Sequence, residues 1–301
     1  MDDWRPTASM DTLRLRAGLL ARVRAFFADR GVLEVETPVL AATAATDPHL
    51  DALSCRFSGP GAGDGRTLYL QTSPEFAMKR LLAADSGPIY QISKSFRQGE
   101  AGSRHNPEFT MLEWYRTGFD HFDLMEEIDE LLAVTIGAEA GERITYGGAF
   151  SLHAGVEPHG ASASALARCA TDHGLGDAGL ALDDRDGWLD LLMSEVVEPC
   201  LGRDRPTHIY DYPASQASLS SIRPGPPAVA ERFEVYVAGV ELANGYNELT
   251  DAAELRRRFT DDSAHRRELG LPQVPIDERL VAAHAHGLPR CAGVALGFDR
   301  L

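Results

Sequence analysis

Arg97 and Arg104 lie in a short loop that also carries Gly99, Gly102, His105 and Asn106. Guanidinium forks, together with glycines that let backbone N–H groups approach closely, make a grip for an anion such as phosphate. The loop interrupts the stretch Tyr90–Arg116, YQISKSFRQGEAGSRHNPEFTMLEWYR. The apolar-aromatic runs on either side of it read as strands, because Tyr, Ile, Phe and Trp suit a pleated, half-buried surface. At the strand period of two, the second run presents Glu113 and Tyr115 on one face. A phosphate grip beside a carboxylate suited to an ammonium is what an ATP-dependent activator of an amino acid needs.

The elements that must position these groups follow from pattern. Leu15, Leu19, Val23 and Phe26 recur at helical spacing over Thr12–Arg30, and Gly31 ends that helix. Val32–Leu40 is extended, with Pro38 suited to an edge. Ser58–Arg66 is a glycine-rich loop and Thr67–Thr72 a strand. Ser73-Pro74-Glu75 begins a helix through Met78 and Leu82, with Ser73 as its N-cap. Phe122–Ile136 is an amphipathic helix, and the Ala-rich stretch that follows completes a mainly helical covering region around 120–205. Thr207–Tyr212, Arg232–Val240 and Gly293–Gly297 are further strands, and Ala252–Leu269 is a charged helix. Strands in runs with segregated helices predict an α+β fold with a mostly antiparallel central sheet flanked by helices.

Composition narrows the function. The 301 residues carry a net charge of −16, which argues against a broad basic grip on nucleic acid. The four cysteines are scattered and read as reduced thiols. No run of about 18 apolar residues and no signal-like N-terminus occur, so the expected place is the cytoplasm, away from membrane. His49, His121, His153 and His284 lack chemical context and read as structural. Arg256, Arg257 and Arg258 read as a solvated helix face.

Three segments carry a resemblance. GVLEVETP (Gly31–Pro38), SFRQGEAGSRHNPEFTMLEWY (Ser95–Tyr115) and GVALGFDR (Gly293–Arg300) resemble, in order, motifs 1, 2 and 3 of class II aminoacyl-tRNA synthetases. FEVYVAGVELANGYNELTD (Phe233–Asp251) is similar to the lysyl subgroup. SPE, HNPEFTMLEWYR, YPASQASL, ERFEVY and ELANG resemble a narrower family, the free-standing paralogues that attach (R)-β-lysine to elongation factor P. That family implies a single catalytic domain over 1–301 without an anticodon-binding domain. It also implies activation of (R)-β-lysine or lysine with ATP and Mg²⁺, transfer to a lysine of elongation factor P, and a homodimer built through motif 1 with Pro38 at the interface. tRNA is not the expected partner. A core that still charges tRNA and a non-catalytic binding module are the alternatives.

Matched position by position, the resemblance gives Arg97 and Arg300 the catalytic roles, at the α-phosphate and the γ-phosphate end of ATP. Gln98, Gly99, Glu100, His105, Asn106, Glu241, Leu242 and Gly297 become nucleotide contacts, with Phe109 stacked under adenine. Glu234 and Glu241 match the acidic pair that holds Mg²⁺. Ser73, Pro74 and Glu75 line the amino-acid site. Tyr115 and Glu248 engage the side-chain ammonium, with Glu113, Asn244 and Tyr246 around them. Ala295 stands where lysyl-tRNA synthetases usually have Gly, and its methyl reshapes the pocket floor towards the β-isomer, a preference worth about 1–3 kcal/mol. Two departures are visible. Gly99 stands where motif 2 usually has Glu, so Glu100 is expected to take over by a loop shift. The family continues past motif 3 with a helix that anchors Arg300, and the sequence read here reaches only Leu301, so that helix is expected to lie outside it.

Overall fold

The computed structural model describes residues 4–99, 101, 102, 105–176, 179–181 and 183–301. Helix α1 (Met10–Asp29) leads into β1 (Leu33–Glu34), and β2 (Leu40–Ala41), β3 (Ser54–Phe57) and β4 (Arg66–Leu70) follow. Next come α2 (Glu75–Leu82), β5 (Ile89–Phe96), β6 (Glu108–Thr117), α3 (His121–Ile136) and β7 (Glu142–Thr145). Helices α4 (Tyr146–His153), α5 (Ala163–Asp172) and α6 (Arg185–Leu192) precede β8 (Thr207–Pro213), β9 (Ile222–Arg223), β10 (Val229–Val237) and β11 (Val240–Asn247). The chain closes with α7 (Ala252–Glu268), α8 (Glu278–Gly287) and β12 (Cys291–Gly297). Among the described residues no helix is long and apolar enough to cross a membrane.

The main sheet runs β1-β5-β6-β12-β11-β10-β8-β7, with β9 on β10. Among the described residues only β1 on β5 and β7 on β8 are parallel pairs, so the expected mostly antiparallel α+β architecture is what forms. Strand alternation divides the sheet into two faces. Leu112 and Trp114 of β6, Val294 and Leu296 of β12, and Phe233 and Val235 of β10 bury against α1 and α3. The opposite face keeps its polar side chains and becomes the floor of a cleft. Beyond it, α4, α5 and α6 pack Phe150, Leu166 and Trp188 against Ile209 and Tyr236.

Several local expectations are corrected. The extended run 32–40 pairs only at its two ends, as β1 and β2, with Pro38 between them. Ser73 is not the N-cap of α2. Pro74 takes that position, and the Ser73 hydroxyl still accepts from the Glu75 N–H at 3.0 Å. Arg232–Val240 is not one strand, because Ala238 and Gly239 turn the chain with positive φ and start β11, whose small and polar residues hide it from a propensity reading. Helix α3 packs on the back face with α1, so the helical cover over the cleft side is α4–α6.

Helix α7 is charged, yet Arg266 within it is only 2 % exposed. Its guanidinium donates to the carbonyls of Asp47 and Pro272 at 2.9 Å and to the Asp51 carboxylate at 2.5 Å. The Asp51 carbonyl in turn accepts from the Gln98 N–H at 2.8 Å. One buried cation thus ties the 47–51 loop to α7 and to the start of the motif 2 loop. Replacing Arg266 by Leu removes these contacts, together with a longer one to the Leu50 carbonyl at 3.4 Å, and leaves four acceptor oxygens without this donor. Urea unfolding of Arg266→Leu is expected to show a loss of at least about 2 kcal/mol. A loss below about 0.5 kcal/mol would contradict this anchoring role.

Candidate active site

Four strands share one register across the cleft floor. Glu113 of β6 lies beside Ala295 of β12, which lies beside Asn244 of β11 and then Glu234 of β10. Two residues along, Tyr115, Gly293, Tyr246 and Arg232 form a second row. The period of two therefore sends both rows to the same side, and the side chains between them go into the core. A cavity of about 480 Å³ stands over these rows. Gly293 keeps it open, since a Cβ there would collide with the Tyr115 ring and the Glu248 carboxylate.

One end of the cavity concentrates carboxylates. Glu113 is buried and accepts from the Ser73 hydroxyl at 2.6 Å and from the Tyr115 hydroxyl at 2.7 Å. Glu75 and Glu248 converge on a side chain that sequence reasoning missed. Lys79, one helical turn after Glu75 on α2, places its Nζ 2.6 Å from Glu75 and 2.5 Å from Glu248. Burial pushes the Glu113 carboxyl up to about 7, with Glu75 adding to the effect and Ser73, Tyr115 and Lys79 opposing it. Burial also pushes Glu248 up to about 8, against the pull of Lys79. For Lys79 itself burial works towards discharge, but Glu248 and Glu75 outweigh it, so its ammonium stays charged. This end of the cavity is built to receive positive charge.

The other end gathers cations. Arg97 lies over the Phe109 ring at 5.1 Å, so the ring expected to carry an adenine already carries a guanidinium on one face. Arg300 donates to the Glu241 carbonyl at 2.5 Å, lies 3.3 Å from its carboxylate, and meets His105 Nε2 at 2.9 Å. The neighbouring Asp299 turns the other way, to Arg16 of α1 at 2.5 Å and the Thr110 N–H at 2.8 Å. That clamp fixes the turn after β12 from which Arg300 projects. Asn106, Leu242 and Gly297 line the same space.

Glu234 and Glu241 face the cavity between the two ends. Glu234 accepts from Arg232 at 2.5 Å, Asn244 at 3.1 Å and the Tyr236 hydroxyl. Glu241 is less committed. Its enclosed position raises its pKa, Glu234 raises it further, and Arg300 opposes. Two carboxylates that repel one another this way suit a hard cation. With no third His, Cys, Asp or Glu grouped beside them among the described residues, they suit one that brings most of its own oxygen shell, as Mg²⁺ does.

Nearly all the candidate residues therefore border one cavity: Ser73, Glu75, Arg97, His105, Asn106, Phe109, Glu113, Tyr115, Glu234, Glu241, Leu242, Asn244, Tyr246, Glu248, Ala295, Gly297 and Arg300. Pro74, Gln98 and Gly99 do not border it. Gly99 has a positive φ of 81°, and Gln98 is held by the 47–51 loop. Glu100 and Arg104 lie outside the described residues. Besides Lys79, sequence reasoning missed Arg232 and the Asp47–Leu50 loop, which brings His49 to the cavity wall. An Arg two residues before a predicted metal-binding Glu, on the same strand face, was the available signal for Arg232.

Comparison with known proteins agrees with this geometry. A family model described as tRNA synthetases class II (D, K and N) matches residues 1–301. A protein of Pectobacterium carotovorum named elongation factor P–(R)-β-lysine ligase is 53% identical over 99% of this chain and 92% of its own length. Proteins of the same name from Pseudoalteromonas translucida and Yersinia pestis are 53% and 52% identical over the same shares. The chain belongs to the class II tRNA synthetase family and, within it, groups with the elongation factor P–(R)-β-lysine ligases.

Proposed function

We propose that this protein activates (R)-β-lysine with ATP as an aminoacyl-adenylate and passes the aminoacyl group to a lysine side chain of elongation factor P. The observation that carries the reading is the polarity of one cavity. Buried carboxylates gather at one end, Arg97 and Arg300 at the other, and the space between suits a diamino acid joined to a nucleotide. The names of the relatives supply the isomer and the protein acceptor.

In the first step a carboxylate oxygen of the amino acid attacks the α-phosphorus, a new P–O bond forms, and pyrophosphate leaves with the electrons of the broken bond. The carboxylate end of the cavity holds the ammonium groups and aims the reacting carboxylate towards Arg97. Arg97 stabilises the charge that builds on the α-phosphate oxygens. Arg300, steadied by Glu241 and His105, holds the departing end. Mg²⁺, when bound, neutralises phosphate charge, and Glu241 with Glu234 beside it are the residues to hold it. In the second step a neutral acceptor amine attacks the carbonyl carbon, an amide forms, AMP leaves, and the amine gives up a proton.

The chain acts as one catalytic domain over 1–301, with α4–α6 as its cover. It pairs as a homodimer through the motif 1 side, where Leu13, Leu15, Leu33 and Leu40 are exposed. The net charge of −16 disfavours tRNA as the acceptor. ATP and a translation factor as substrates make the cytoplasm its compartment.

ATP–pyrophosphate exchange tests the activation step directly. Exchange faster with (R)-β-lysine than with L-lysine, followed by a mass increase on elongation factor P, is the expected result. Exchange with neither isomer would refute the activity, and a preference for L-lysine with charging of tRNA would move the acceptor to tRNA. Arg97→Ala should lower kcat/KM for exchange by about 10²–10³-fold, with the thermal unfolding midpoint little changed.

The site also sets a pH dependence. Ligand-free Glu113, at about 7, and Glu248, at about 8, hold protons near neutrality. An arriving ammonium favours their ionised forms, so binding expels those protons and tightens as pH rises through this window. Calorimetry at pH 7 in buffers of different ionisation enthalpy should show release of roughly one proton per amino acid bound. Affinity that falls as pH rises from 6 to 8 would contradict this.

A further inference from the structure

Lys79 stands out among the buried groups that the chemistry above does not use. It is 1 % exposed, lies in the second turn of α2, and bridges Glu75 on its own helix to Glu248 just past β11. Its neighbours Met78 and Leu82 already pack α2 into an apolar cluster with Ile89 and Tyr115. If α2 needed only packing at this position, an apolar side chain would avoid the desolvation cost of an ammonium, since buried ion pairs are often replaceable by apolar groups without loss. The position is instead a cation set directly behind the carboxylates of the cavity.

Glu75, Glu113 and Glu248 bring three carboxylates to one end of the cavity, and Lys79 satisfies one equivalent of them. Once all three are ionised, as an arriving ammonium favours, two equivalents remain, the number of ammonium groups on a diamino acid. The other groups facing this cluster add no charge to the count. From α8, His284 is kept neutral by burial first and by Lys79 beside it. From β12, burial raises Cys291 to about 12, and from β6 and β11, Tyr115 and Tyr246 are raised by burial, so all three stay neutral near pH 7. Arg232, in the same row of the cleft floor as Tyr115 and Tyr246, is spent on Glu234 at 2.5 Å.

We infer that Lys79 is a specificity-determining and positioning residue: by bridging Glu75 and Glu248 it fixes the charge deficit of the amino-acid site at two and so matches the site to a ligand bearing two ammonium groups. The inference rests on the amino-acid reading of the cavity given above. Without Lys79, three carboxylates would face one another, and the site would retain an additional proton near neutrality. An incoming diamino acid would then have to displace it. Because Lys79 opposes the upward shift of both Glu113 and Glu248, its loss moves their titration to higher pH.

The test compares wild type, Lys79→Met and Lys79→Arg by titration calorimetry with (R)-β-lysine and L-lysine from pH 6 to 9, on the full chain. Wild type is expected to gain affinity through pH 7–8. In Lys79→Met the same rise should begin at least about one pH unit higher, leaving binding about tenfold or more weaker at pH 7 and partly restored at alkaline pH. Lys79→Arg keeps the charge and should keep the wild-type inflection, whatever its absolute affinity. A Lys79→Met protein whose inflection stays at the wild-type pH would overturn the inference, because a merely structural lysine would change affinity without moving the titration. Should Lys79→Met fail to fold, the double variant Lys79→Met/Glu75→Gln, which removes one charge of each sign, carries the test. Its inflection should match wild type, and an inflection displaced by one unit would overturn the charge count. Wild type that binds neither lysine at any pH would sink the amino-acid reading itself, a result distinct from a failed shift in the variants.

Discussion

Glu113 sits in the middle of a strand whose adjacent residues, Leu112 and Trp114, are fully buried in the main core. That core leaves no freedom to turn the strand, so the carboxylate must enter the cleft, next to Glu75 and Glu248. Burying carboxylates together is costly unless each finds donors or a counter-charge. Ser73, Tyr115 and Lys79 are those partners, and they come from the α2 entry, from β6 itself and from α2. The placement of α2 follows from this need. Its first turn supplies a carboxylate and its second turn the cation that tempers it, while Met78 and Leu82 pack it against Ile89 and Tyr115 of the sheet.

The opposite end of the cavity is held by a different device. Its cations must stay extended and exposed to a ligand, so they cannot be fixed by burial. They are fixed from behind. Arg16 of α1 takes Asp299, which leaves Arg300 pointing to Glu241 and His105. Arg266 of α7 takes Asp51, whose carbonyl takes Gln98 next to Arg97. Each working arginine is thus one residue away from a clamp made by a distant helix. Preorganisation of this kind spares the reaction the cost of ordering long side chains.

What could be read in the sequence follows from this division. Strands β5 and β6, helix α1 and the outward face of Glu113 and Tyr115 were legible because each is a local pattern of period two or near 3.6. Strand β11 was not, because ELANGYN has little β-propensity and is held by two neighbouring strands instead. Lys79 was illegible for a related reason. A Lys four residues after a Glu on a helix reads as a solvated pair, and nothing local tells that Glu248, far along the chain, closes on it. Arg266 hid the same way in a helix of charged residues. Pattern reveals faces. Which polar residue on a face becomes buried is decided by the element that later packs over it.

The same partners explain why an acid-rich cleft can persist without its ligand. A carboxyl whose folded pKa lies above its unfolded value binds more protons when folded, so it lowers stability progressively as pH rises from the ordinary carboxyl range towards 8. Glu113 and Glu248 both act in this direction, and Lys79 limits the effect by drawing both titrations down. Ligand ammonium groups limit it further, because they replace the protons the empty site would hold. Stability and selectivity therefore draw on one quantity, the unpaired negative charge left around Lys79. A site with less of it would fold more firmly at high pH and would also lose its reason to prefer a diamino acid over a neutral one.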